Sequence, residues 1–189
     1  LDGASLARRR LVIALEAHPG VEVVFDGPEP GGLFDRLTAI APDVVVVAVA
    51  EGLAATVERV GWTLPSARVL ALVDNESDEA IDWVIANGAT GVLSRRVDVP
   101  EVAAAVADVA AGRPVLDACA AAVLARRLRD AGPAVNGEAL EALDLWAAMT
   151  GGGARPTPLE PGASRQLAQA MARIRRTTRH AGLRAPEGR

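Results

Sequence analysis

Pro42-Asp43-Val44-Val45-Val46-Val47-Ala48-Val49 is the stretch from which the rest of the chain is read. From Val44 onward every residue is apolar and nearly all are β-branched, so the run has no polar face to turn to water. It is far shorter than the ~18 apolar residues that a membrane span requires. A short continuous run of this kind marks a parallel strand covered by helices on both sides. Pro42 closes the preceding helix, because proline disfavours helix at the residue before it. That helix carries Leu33, Leu37 and Ile40 on one face and follows a turn from Asp26 to Gly32. Further back, Val21 to Phe25 reads as a short strand. Leu6, Leu11, Ala14 and Leu15 line a first helix that ends at His18-Pro19-Gly20. Towards the C-terminus the alternation continues: Leu53 to Val60 helix, Arg68 to Val73 strand, Glu79 to Asn87 helix, Gly91 to Leu93 strand. Pro100 to Ala111 is the closing helix, with proline in the first turn, where a missing amide donor costs nothing. Helical and strand periods alternating in this way give an α/β layer fold.

The chain has 189 residues, room for one domain and a small partner at roughly 100–200 residues per domain. Apolar residues make up 50% and charged residues 23%, which excludes a chain disordered throughout. All 20 basic residues are arginine. The net charge of −4 is unevenly spread: residues 155–189 carry eight arginines against Glu160 and Glu187, or +6, leaving −10 on residues 1–154. An acidic body with a basic tail fits a nucleic-acid-binding appendage or a solvated tail. Leu1 to Ala17 has charges in its middle and no cleavage site, and the single Cys119 has no internal disulfide partner, so the expected compartment is the cytoplasm.

After Ala111 the alternation stops. Asp117 to Asp130 reads as an alanine-rich helix ending in Arg126, Arg127 and Arg129, and Ala131-Gly132-Pro133 as a linker. Glu138 to Met149 is amphipathic, and Thr150 to Gly162 holds four glycines and three prolines, a composition hostile to helix. Ser164 caps a final helix reaching about His180, with an apolar stripe of Leu167, Ala170, Met171 and Ile174.

Four stretches now stand in a recognisable order. They are Leu15-Glu16-Ala17-His18-Pro19-Gly20-Val21-Glu22-Val23-Val24, Pro42-Asp43 with its valine run, Ala86-Asn87-Gly88-Ala89-Thr90-Gly91-Val92-Leu93, and Gly112-Arg113-Pro114-Val115-Leu116. Together they resemble bacterial response regulators of the NarL/LuxR type, in which a receiver domain, a linker helix and a small helix-turn-helix domain follow one another. The resemblance implies a degenerate receiver over residues 1–116, a linker helix and linker over 117–134, and a divergent helix-turn-helix-like, all-helical domain over 135–189. The implied receiver is a doubly wound, flavodoxin-like, five-stranded parallel sheet of order 2-1-3-4-5. This chain begins at or past the end of that first strand, so the strand is expected upstream of Leu1. Direct pairing of Val21 to Phe25 with Val44 to Val49 is the alternative.

In the family, two carboxylates after the first strand hold Mg²⁺, a third at the end of the central strand accepts phosphate, and a threonine and a lysine detect it. By the resemblance these positions fall on Asp2 and Gly3, on Ala48, and on Val73 and Arg95; the aromatic switch position falls on Val92. A methyl group is neither nucleophile nor ligand, so aspartyl phosphorylation is expected to be absent. Asp43 and Asp74 are the alternative carboxylates, but Asp43 stands at the entrance of its strand, not the exit. One cysteine and two distant histidines make no zinc site, and no Gly-Lys-Ser/Thr follows Gly151 to Gly153, so neither enzyme nor cofactor is expected.

At the C-terminus, Val135 to Ala148 resembles the first helix of the helix-turn-helix and Ala172-Arg173-Ile174-Arg175-Arg176 the end of its recognition helix. The supporting second helix has no clear counterpart, and the family's Thr-Val pair and histidine are absent, with Leu167 and Met171 nearby. Arg165, Gln166, Gln169, Arg173 and Arg176 are the candidate DNA readers, since glutamine and arginine recognise adenine and guanine edges and arginine also holds phosphates. A solvated basic helix docked by its apolar stripe is the other reading. The expected function is a phosphorylation-independent, dimeric transcriptional regulator, switched by a small ligand or protein effector at Asp2, Gly3, Ala48, Val73 and Arg95. The alternative is a protein-interaction module that has lost both phosphorylation and specific DNA binding.

Overall fold

A computed structural model describes residues 3–27, 32–49, 54–73, 78–130, 165 and 167–172. The elements follow the order α1 (Gly3–Glu16), α2 (Leu33–Ile40), β1 (Val44–Val49), α3 (Ala54–Thr63), β2 (Arg68–Val73), α4 (Asp78–Ala86), β3 (Gly91–Ser94), α5 (Val99–Ala110), β4 (Val115–Leu116) and α6 (Ala118–Asp130). The four strands form one parallel sheet in the order β1-β2-β3-β4. Val44 lies opposite Arg68 and Val49 opposite Val73, while Gly91 stands between Leu70 and Val115.

Strand alternation splits the core into two clusters. Val47, Val49, Val69, Ala71, Val73, Val92 and Leu116 face one way, into a cluster with Leu37 of α2, Val60 of α3, Val84 of α4 and Leu124 of α6. Leu70, Leu72, Leu93 and Val115 face the other way, onto Leu15 of α1 and Val102 and Val109 of α5. Each fully buried aliphatic side chain contributes about 1.5–3 kcal/mol. The two-sided reading of the valine run is thus the layout of the molecule, a doubly wound α/β body.

Four strands with the first one missing agree with the expected receiver fold, but one segment read as a strand is not among them. Val21 to Phe25 does not join the sheet: residues 21–27 alternate half-buried and exposed positions but make no ladder. The physical reason is geometric. In the 2-1-3-4-5 order this segment pairs with a first strand, and here β1 is an edge, with no strand between it and residues 21–27 among the described residues. The segment is held by side chains instead. Val21 and Val23 pack on the α1/α5 cluster, Phe25 on the opposite one with Arg36 over its ring, and Arg8 pairs with Asp26 at 2.8 Å. Conversely Val115-Leu116, not read as a strand from the sequence, forms β4 against β3. Leu6, assigned from sequence to the inner face of α1, is exposed, and Leu11 and Leu15 carry that contact.

α6, expected as a linker helix, packs on α4 and shares its cluster through Ala120, Leu124 and Leu128. Arg126 pairs with Asp78 at 2.9 Å, and Arg127 pairs with Asp82. These pairs are largely solvent-exposed and add only tenths of a kcal/mol, so apolar burial holds α6 in place. Residues 167–172 are helical, and Leu167, Ala170 and Met171 are buried in the same cluster. The expected helix Val135 to Ala148, the segment Thr150 to Gly162, and Asp2, Asp74, Gln166, Arg173 and Arg176 lie outside the described residues. No helix among the described residues is long and apolar enough to cross a membrane.

Two substitutions test this packing. A Cβ on Gly91 would sit 2.7 Å from Leu70 Cδ1 and 2.9 Å from Val109 Cγ2, so Gly91→Ala is expected to destabilise by about 1–3 kcal/mol in urea unfolding. Ala41 caps α2 with φ 51°, its N–H donating to Leu37 O at 2.8 Å, because Pro42 disfavours the α region there. Left-handed alanine costs about 1 kcal/mol, so Ala41→Gly is expected to raise the unfolding midpoint.

Candidate functional site at the C-terminal edge of the sheet

β1, β2 and β3 end level with one another, Val49 opposite Val73 and Val73 opposite Ser94. In open parallel sheets ligands gather at this edge, where strands give way to loops and helix N-termini. The fold brings three of the residues singled out from sequence to it. Ala48, one residue from the end of β1, is exposed. Val73, the last residue of β2, is buried in the α2/α3/α4/α6 cluster. Arg95 follows β3 directly, its N–H donating to Val73 O at 2.8 Å, and is exposed. Gly3 opens α1. Val92, at the aromatic switch position, is a fully buried core residue.

Of these, Ala48 and Arg95 present a methyl group and a guanidinium at the edge, and the Val73 isopropyl group is packed into the core beneath it. None of these supplies an oxygen ligand for Mg²⁺ or a phosphoryl acceptor. Among the described residues no group of three or more His, Cys, Asp or Glu side chains is arranged to hold a metal ion. Cys119 has its thiol pKa pushed up by burial, reinforced by the negative charges of Asp117 and Asp78, which disfavours the nucleophilic thiolate. A polar cleft of about 400 Å³ lies at the opposite end of the strands, lined by Ser66, Arg68, Asn87 and Thr90 among others. It is remote from the residues that the receiver resemblance picks out.

Two residues that sequence reading passed over shape the edge. Ser94, at the end of β3, is 4% exposed and is the buried polar residue of the described core. Its Oγ accepts from the Arg96 N–H at 3.1 Å and its carbonyl from the Val97 N–H at 3.1 Å, closing the loop that carries Arg95 and Arg96. Asp117 precedes α6, and its Oδ1 accepts from the Ala120 N–H at 2.8 Å, an N-cap. Its Oδ2 accepts from the Ser94 N–H at 2.5 Å. The cap was legible in Asp117-Ala118-Cys119-Ala120 ahead of an alanine-rich helix; the reach to Ser94 has no local signal.

Of the candidate DNA readers, Arg165 and Gln169 are described, and both are exposed. They leave the helix on the side away from Leu167, Ala170 and Met171, whose burial puts the apolar stripe inside the body.

No protein-family model matches the chain. Over 135 residues the chain is 36% identical to the DNA-binding transcriptional activator DevR/DosR of Mycobacterium tuberculosis (strain ATCC 25618 / H37Rv). The match takes in 69% of this chain and 62% of that protein, so the chain spans less than two thirds of that relative's length. The fold is similar to the crystal structure of response regulator ChrA from a heme-sensing two-component system, with a TM-score of 0.52 at 21% identity over 93% of this chain and 83% of that one. The first likeness is of sequence and the second of fold, and both agree with a parallel sheet wrapped on two faces by helices. In sequence the chain is similar to that activator, and in fold to a response regulator; its body has the receiver-type, flavodoxin-like α/β fold.

Proposed function

We propose that this chain is a cytoplasmic, dimeric transcriptional regulator that works without aspartyl phosphorylation, performs no catalysis, and contacts DNA through its C-terminal helical region. The observation that carries the reading is the chemistry of the sheet edge. By the resemblance Ala48 falls on the receiver family's phosphoacceptor position, and Val73 and Arg95 on its sensing pair; Ala48 and Val73 lie at or one residue from the ends of their strands, and Arg95 directly follows β3. A receiver-type body that keeps its architecture without this chemistry needs another input, and the proposed input is a small ligand or protein contact at Asp2, Gly3, Ala48, Val73 and Arg95. DNA as the output is supported by the likeness to a DNA-binding transcriptional activator. The eight arginines of residues 155–189 and the exposed Arg165 and Gln169 agree with it. Gln166, Arg173 and Arg176 complete the proposed reading face.

A second reading draws on a specific observation. Leu167, Ala170 and Met171 are buried in the cluster that holds α4 and α6. A helix docked in this way equally suits a module that presents its outer face to a protein partner and reads no DNA.

Selection of binding sites from genomic DNA separates the two. The regulator reading expects a shared, two-fold-symmetric site enriched by the full-length protein and lost by Arg173→Ala/Arg176→Ala. Each lost phosphate contact should flatten the salt dependence by about 0.9 in log K against log salt. Salt-sensitive but sequence-blind binding, or none, would remove the DNA reading in favour of a protein partner. Independently, incubation with acetyl phosphate and Mg²⁺ should leave the intact mass unchanged; gain of a hydroxylamine-labile phosphoryl group would overturn the phosphate-free input.

A further inference from the structure

We infer that the Asp117 carboxylate is a latch that couples the Arg95 edge of the sheet to α6 and, through α6, to the C-terminal helix. The inference rests on the reading of that edge as the regulated site, and adds how a change there is transmitted. Asp117 is bonded on every side. Its N–H donates to Val92 O at 3.1 Å, which anchors it to β3. Its carbonyl accepts the Ala121 N–H at 2.9 Å, the first bond of α6. Its two carboxylate oxygens then divide, one to the Ala120 N–H within α6 and the other, across 23 residues of sequence, to the Ser94 N–H.

Ser94 is the root of the loop that bears Arg95 and Arg96. The Arg96 and Val97 N–H groups both bond to it, and the adjacent Arg95 N–H bonds to the end of β2. Any ligand or partner that draws Arg95 therefore pulls on a backbone whose Ser94 N–H, one residue before, is held by Asp117. Beyond Asp117, α6 is a stiff element, packed on α4 through Leu124 and Leu128 in the cluster that also holds Leu167, Ala170 and Met171. Arg126 and Arg127 pair with Asp78 and Asp82 of α4. A shift at the Ser94 loop thus has a short, hydrogen-bonded route into the helix against which the C-terminal stripe is buried. An ordinary N-cap ends at its own helix; this carboxylate commits one oxygen elsewhere.

The difference between a cap and a latch can be measured on the full chain without DNA and without knowing the effector. Asp117→Asn keeps a side-chain oxygen for the Ala120 N–H but offers the Ser94 N–H an amide donor in place of an acceptor. Asp117→Ser caps the helix and is too short to reach Ser94. Arg95→Ala perturbs the edge directly. Hydrogen exchange would be followed over 118–130 and 167–172 in the wild type, in each single variant and in the two combinations. Arg95→Ala is expected to change exchange in both segments by about fivefold in the wild-type background, the factor carried by one capping hydrogen bond. In both Asp117 backgrounds its effect should vanish while α6 stays protected. An Arg95→Ala effect that persists undiminished in the Asp117→Asn or Asp117→Ser background, or no effect in the wild type, would overturn the latch. Neither outcome depends on DNA binding, so failure of the regulator reading and failure of the latch are separately visible.

Discussion

Two-sided burial of β1 and β2 is the constraint from which the rest of the structure follows. A strand apolar on both faces must be covered twice, and the alternation of its side chains decides which helix covers what. Val69, Ala71 and Val73 require the α2/α3/α4/α6 layer, and Leu70 and Leu72 require α1 and α5. β2 satisfies this fully, with every residue after Arg68 buried. β1 satisfies it in part: it is an edge strand, Ala48 is exposed, and Val44 to Val46 are only half-buried. Residues 21–27 pass along this margin, giving apolar cover from Val21, Val23 and Phe25 without giving backbone hydrogen bonds to the sheet.

The same architecture sets the geometry of the sheet edge. Strand ends brought level by parallel pairing create a shelf whatever residues stand on it. Here the shelf carries Ala48, Val73 and Arg95, and the core directly beneath it, at Val92 and Ser94, is fully packed. Val92, which the resemblance sets at the aromatic switch position, is fully buried. Asp117 is the polar group that joins β3 and α6 at that point, through its bonds to Val92, Ser94, Ala120 and Ala121.

The placement of the C-terminal helix joins body and tail. Its stripe is buried with α4 and α6, while Arg165 and Gln169 face solvent. The described part of this helix therefore meets the body through apolar contacts. The alignment of Asp78 and Asp82 with Arg126 and Arg127 gives α6 its register on α4 more than its stability.

What the amino-acid sequence determined by itself is the layer pattern. The valine run required a covered parallel strand, Pro42 required the helix before it to end, and the spacing of apolar residues set α2 to α6 within a few positions. That residue 48 is an alanine, at the position where the resemblance expects a carboxylate, is likewise read from the sequence alone. Tertiary structure decided what depends on neighbours distant in sequence. Val21 to Phe25 has strand composition, but a strand exists only beside a partner, and among the described residues none lies next to it. Val115-Leu116 is too short to be read as a strand, and becomes one because β3 lies alongside. The bond from Asp117 to Ser94 spans 23 residues and belongs to no local motif. Local propensity and periodicity are carried by adjacent residues and so are written in the sequence; hydrogen-bond partnership between separate elements is settled only when packing brings them together.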